Sequence, residues 1–192
     1  MAENQKYGGC IMDRNEYIEK LKSADTTINL PIRKLTVAET IDPDPIFIGK
    51  GTRNLIIVME EFSELIEQYV NAENGNIDMV GLLEETADVE QSLDFVQIIC
   101  NITDEELQFR KTTFDVPVAF PVVALATSQK IVSKYLRGKA SKSQMIDMIL
   151  VVQSALSQIK FEYNISQEDI NKSINVKTQR LYEYVACEKL YK

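Results

Sequence analysis

Histidine is absent from the 192 residues, and that one gap excludes Ser-His-Asp and Cys-His nucleophilic catalysis together with imidazole metal ligation. Any reactive site has to be built from carboxylates, Lys, Arg, Asn, Ser, Thr or Tyr. Cysteine is scarce: Cys10, Cys100 and Cys187 are odd in number, far apart and without C-x-x-C spacing. That argues against a disulfide framework or a zinc knuckle and for reduced, packing residues. Gly and Pro number only seven and five, and Pro31, Pro43 and Pro45 fall before residue 50, so the remainder is free to run as long helices. The N-terminus has no apolar stretch long enough for a signal peptide, and no run approaches the roughly 18 to 20 apolar residues of a membrane span. The expectation is a cytoplasmic protein with no membrane partner.

What is present is an ample supply of apolar side chains, 45% of the chain, enough for a packed core. The net charge of −8 is unevenly distributed. Residues 1–59 carry 8 acids and 8 bases, residues 60–110 carry 14 acids and 1 base, and residues 111–192 carry 7 acids and 12 bases. Such an acidic stretch repels nucleic acid polymers and attracts divalent cations, although solvated helix faces alone produce the same count.

The first 53 residues read as an N-terminal arm: a short helix around Arg14 to Lys22, then an extended stretch in which TTINLPIRKL and IDPDPIFIGKGT carry X-Pro steps that oppose helix. From Asn54 the apolar period becomes helical, with Leu55, Val58, Met59, Phe62, Leu65, Ile66 and Tyr69 at three- and four-residue steps; Asn74 and Gly75 supply a stop. A second helix begins near Met79 or Val80, carries Leu82, Leu83, Thr86, Val89, Leu93, Val96 and Cys100 on one stripe, and ends about Asn101. Thr103 or Asp104 caps a third that runs through Arg110. Pro117 and Pro121 then punctuate the chain.

The plan repeats. Residues 65–75 match 131–141 at an offset of 66, placing Tyr69 over Tyr135, and residues 92–107 match 155–170 at an offset of 63, placing Asn101 over Asn164. The predicted architecture is therefore all-α: an arm over 1–53, a repeat over 54–116 and a second repeat over 117–192.

The first repeat concentrates acids in a pattern. Glu61 and Glu64 are three apart, as are Glu85 and Asp88, so each pair lies about 60° apart around its helix and one turn apart along it. If the two helices pack side by side, four carboxylates surround one point, an all-oxygen setting suited to Mg2+ or Mn2+; Glu60 and Glu84 border it. Crowding like charges is costly unless a cation neutralises them or their pKa values rise. An E-x-x-E pair on a surface helix is common, so the contrast with the second repeat matters. There Glu60, Glu61 and Glu64 become Ala126, Thr127 and Lys130, and Glu85 and Asp88 become Met148 and Val151. Replacement of acids by Met and Val indicates positions that face inward.

The arrangement E-E-x-x-E, 20 intervening residues from Glu64 to Glu85, then E-x-x-D, together with the tail EETADVEQSLDFVQIICNITDEEL, resembles the signature of MazG-like NTP pyrophosphohydrolases, which are related to the dimeric dUTPases. The resemblance covers 54–116 and, as a degenerate copy, 117–192. It implies a helical bundle, dependence on Mg2+ with Mn2+ as the alternative, and hydrolysis of NTPs or dNTPs to monophosphate and pyrophosphate. It implies Glu61, Glu64, Glu85 and Asp88 as metal ligands and Glu60 and Glu61 as catalytic residues, Glu60 being a supporting acid or the group that orients the attacking water. The family's Asn-x-Lys-x-x-Arg-like final helix has its counterpart in Asn175, Lys177 and Arg180, which either contact phosphate or cap and solvate a helix. Because family modules dimerise, the acid-free copy is expected to act as an intrachain pseudo-dimer partner supplying Lys130 and Lys134, with a homodimer left open. Phe62, Tyr69, Phe95 and Phe109 could read a base, but aromatics at helical spacing are more often core. The competing expectation is a catalytically silent helical module that senses nucleotide or binds protein.

Overall fold

The computed structural model describes residues 14–26, 51–116 and 119–190, by backbone alone from 180 onward. Most of the extended stretch expected between residues 26 and 50 lies outside the described residues, as do Cys10 and the side chains of Arg180 and Cys187. Seven α-helices and no strand are found among the described residues. They are α1 (Arg14–Ser23), α2 (Thr52–Glu73), α3 (Met79–Ile99), α4 (Asp104–Thr113), α5 (Pro121–Leu136), α6 (Lys142–Glu162) and α7 (Gln167–Leu190). None of them is long and apolar enough to cross a membrane.

The helix signals in the sequence are used as chemistry dictates. Asp78 caps α3 by accepting from the Gly81 amide at 3.1 Å. Thr103 and Glu106 form a reciprocal capping box on α4, and Ser141 and Gln144 form another on α6. Asn101 and Asn164, just beyond α3 and α6, adopt left-handed backbone at φ 51° and 52°. Asn tolerates that conformation better than other non-glycine residues, and it releases each chain from its helix.

Helices α2, α3, α6 and α5 form a four-membered ring in which each packs on the next. Leu55, Val58, Phe62, Leu65 and Tyr69 of α2 meet Leu82, Val89, Leu93 and Val96 of α3 and Met145, Met148, Ile149, Val152, Leu156 and Ile159 of α6. Helix α3 is buried around more of its circumference than an amphipathic stripe predicts, including Thr86, Gln91, Ser92 and Asp94, because α7 packs on its outer side. The buried hydroxyls stay satisfied by their own helix: Thr86 donates to the Leu82 carbonyl at 2.6 Å and Ser92 to that of Val89 at 2.9 Å. Helix α4 packs on α6 through a forked ion pair, Arg110 Nε and Nη2 donating to the two carboxylate oxygens of Asp147 at 2.5 and 2.9 Å. Helix α1 rests on α7. Phe62 and Tyr69 are core residues, whereas Phe109 is exposed.

Candidate metal centre

The packing of α2 against α3 brings the two acidic pairs to one side of the bundle, beside α7. Glu61, Glu64 and Glu85 each offer a carboxylate oxygen lying within 4.8 Å of the other two. Oxygens that share one divalent ion sit about 2.0–2.6 Å from it and so up to about 5 Å from each other. The spacing fits one cation. Asp88, the fourth expected ligand, stands a turn beyond Glu85 and ion-pairs with the Lys177 ammonium of α7, which also lies 3.2 Å from Glu84.

The electrostatics follow from burial and crowding. Burial pushes the Glu61 carboxyl up to about 8, with the charges of Asp88 and Glu64 adding to the effect. Glu85 is likewise pushed up to about 8 by burial and then by Asp88. Glu64, more exposed, is raised for the same two reasons. Burial works to lower the Lys177 ammonium, but Asp88 and Glu84 outweigh it and hold its pKa above the usual lysine range. One oxygen of Glu85, Oε2, is buried and has no hydrogen-bond partner among the described residues. A desolvated carboxylate oxygen left in that state is costly unless a proton or a cation meets it. The donors present, all carboxylate oxygens, fit Mg2+ or Mn2+ and do not fit a thiolate-seeking metal.

The other sequence candidates are placed elsewhere. Glu60 is exposed and lines a shallow depression between α2 and α5 with Met59, Gln129 and Lys130; it does not join Glu61, Glu64 and Glu85. Lys134 sits half-buried in the last turn of α5. Asn175 donates its side-chain amide to the main-chain carbonyl of Asp25 at 2.6 Å, so its contact is with the N-terminal segment. Among the expected phosphate-contacting bases whose side chains are described, Lys177 is the one that ion-pairs with acids of this cluster, Asp88 and Glu84.

Residues that the sequence did not single out surround Lys177. The ring of Tyr17 lies 5.8 Å from its ammonium nitrogen, and the Tyr17 hydroxyl is 2.5 Å from Ser173 Oγ. A signal existed in the four-residue recurrences Asn171/Asn175 and Ser173/Lys177 on one helix, which place polar groups on fixed stripes, but nothing in a linear chain says that residue 17 meets them. No family model matches the chain, and neither a curated protein nor a solved structure matches it.

Proposed function

We propose that this chain is a divalent-metal-dependent nucleoside triphosphate pyrophosphohydrolase of the MazG-like, all-α type, with Glu61, Glu64 and Glu85 holding Mg2+ or Mn2+ and Asp88 as the fourth carboxylate. The observation that carries the reading is the convergence of three carboxylates from two helices within 4.8 Å, one of them with a buried, unpartnered oxygen. Bound there, the ion would supply Lewis-acid chemistry, offsetting phosphate charge and lowering the pKa of an attacking water. The chain's own residues set the stage. In the metal-free protein burial raises Glu61 and Glu85 to about 8, so binding of the ion would release protons near neutrality, and Lys177 places a positive charge beside the carboxylates.

Relationships across the bundle support reading it as two related halves with one active site. Helix α4 packs on α6 as α7 packs on α3, and Asn101 and Asn164 share an unusual backbone conformation at matching ends. Tyr69 stacks edge-on against Tyr163 with ring centroids 5.9 Å apart, while the matching Tyr135 hydrogen-bonds Cys100, the counterpart of Tyr163. Where α3 carries Glu85 and Asp88, α6 carries Met148, fully buried, and Val151.

The test is to incubate the protein with Mg2+ and a panel of NTPs and dNTPs and to assay pyrophosphate. Release that disappears in Glu61→Gln and Glu85→Gln is expected; no pyrophosphate from any nucleotide, with the fold intact, overturns the proposal. The ion pair between Lys177 and Asp88 favours a second reading, a silent module in which lysine is the permanent counter-ion. Nucleotide and metal protection against unfolding without turnover would select it.

A further inference from the structure

Helix α1 stands outside the four-helix ring, yet its attachments converge on the two helices that flank the carboxylates. At its leading end Arg14 ion-pairs with Asp78, the N-cap residue of α3. Just past its trailing end, the side-chain amides of Asn171 and Asn175 on α7 donate to the main-chain carbonyls of Thr26 and Asp25, at 2.8 and 2.6 Å. Between these clamps Tyr17 is only 4% exposed. Its hydroxyl shares a hydrogen bond with the fully buried Ser173, and its ring faces the ammonium of Lys177, one turn beyond Ser173 on α7.

A ten-residue helix with a single buried residue has little stability of its own, so α1 is ordered by these contacts. The consequence reaches the site. Lysine has a flexible four-carbon stem and a strongly hydrated head; to remain on Asp88 and Glu84 with 16% of its side chain exposed, it needs walls. Tyr17 provides one. The ring's electron-rich face attracts a cation within about 6 Å, and its bulk excludes the water that would otherwise draw the ammonium outward.

We propose that Tyr17 is a positioning residue for Lys177: the N-terminal helix holds the ammonium against Asp88 and Glu84, and thereby sets how strongly this built-in cation competes with a divalent ion for the carboxylates. The competition rests on the metal reading above, whereas the positioning rests on the contacts themselves. A like charge beside a bound dication opposes it, so loosening Lys177 lets the ion bind more tightly. The N-terminal helix thus tunes the site without contributing a ligand.

The experiment uses the full chain and two readouts. In metal-free protein, the 15N resonance of the Lys177 ammonium, assigned by its loss in Lys177→Met, is expected to be observable in wild type and in Tyr17→Phe, which keeps the ring, and to broaden away in Tyr17→Leu. Mn2+ titration followed by electron paramagnetic resonance is expected to show Tyr17→Leu tightening binding about threefold, and no such effect in a Lys177→Met background. If Tyr17→Leu does not fold, Tyr17→Met, which also lacks the ring, takes its place. An unchanged ammonium signal, or an equal change in Mn2+ affinity with and without Lys177, overturns the positioning role. If Mn2+ binds no variant and not the wild type, the metal reading falls, and the ammonium signal still decides whether Tyr17 holds Lys177.

Discussion

Lys177 of α7 reaches Asp88 of α3 and closes an ion pair that is mostly buried, with 16% and 20% of the two side chains exposed. Removing one member of such a pair leaves the other desolvated and uncompensated. Lys177→Met is therefore expected to lower metal-free stability by about 1–3 kcal/mol, less than for a fully buried pair because water still reaches both groups. Because the carboxylates are then more in need of a cation, Mg2+ or Mn2+ should restore more stability to the variant than it adds to wild type. Denaturant melts with and without the ion measure both effects; equal gains in the two proteins would argue against competition for one site.

The raised carboxyls give stability a definite dependence on pH. Glu61 and Glu85 titrate near 8 in the fold and near 4.3 in an unfolded chain. Between these values the native state binds more protons than the unfolded one, so stability falls as pH rises. Their contribution is fully present below about pH 4.3 and is lost as pH passes through 8. Asp78 and Glu106, held down mainly by Arg14 and Lys142, act in the opposite sense and at lower pH. In metal-free protein, stability should therefore decline from about pH 5 to 9, and the Glu61→Gln/Glu85→Gln double variant should flatten that decline. A divalent ion needs ionised ligands, so the stabilisation it confers should grow across the same interval.

Glu85→Gln separates repulsion from ligation. At pH 9 without metal the substitution removes a buried charge from a crowd of carboxylates and should raise the melting temperature by a few degrees, about 1 kcal/mol for a chain of this size. With millimolar Mn2+ the order should invert, because wild type gains the ion and the variant loses a ligand. A variant that remains the more stable protein in Mn2+ would show that the three acids do not act together on a cation.

The helices and the acidic pairs were legible in the sequence because both are local properties. The apolar period defined α2 and α3 within about two residues, Thr103 marked the start of α4, and three-residue spacing put Glu61 beside Glu64 on one helix. The partner of Asp88 was not legible. Lys177 lies 89 residues away, and its membership depends on α7 packing outside α3, which no periodicity encodes. The same is true of Tyr17, which a short polar helix presents as an ordinary amphipathic residue. Glu60 shows the converse limit: adjacency in sequence suggested a shared site, but neighbouring residues on a helix point about 100° apart, and Glu60 faces α5.

Gly51 provides a test of the packing between the start of α2 and the end of α3. It precedes α2 with φ at 84°, and a Cβ placed there would lie 2.6 Å from Cγ1 of Ile99, near the end of α3. Two costs are therefore superimposed in Gly51→Ala: the left-handed backbone, about 1–2 kcal/mol for an L-residue, and the collision, about 1–3 kcal/mol as in other overpacked contacts. Gly75 separates them, because it has the same φ of 84° but no atom within 4 Å of the added Cβ. Gly75→Ala should show the backbone cost alone, and Gly51→Ala should be clearly worse. In an Ile99→Ala background, where the colliding atoms are gone, the cost of Gly51→Ala should shrink to that of Gly75→Ala. Urea melts of the wild type and the four variants measure the cycle; a cost for Gly51→Ala that ignores residue 99 would mean that the turn, and not the meeting of α2 with the end of α3, requires glycine.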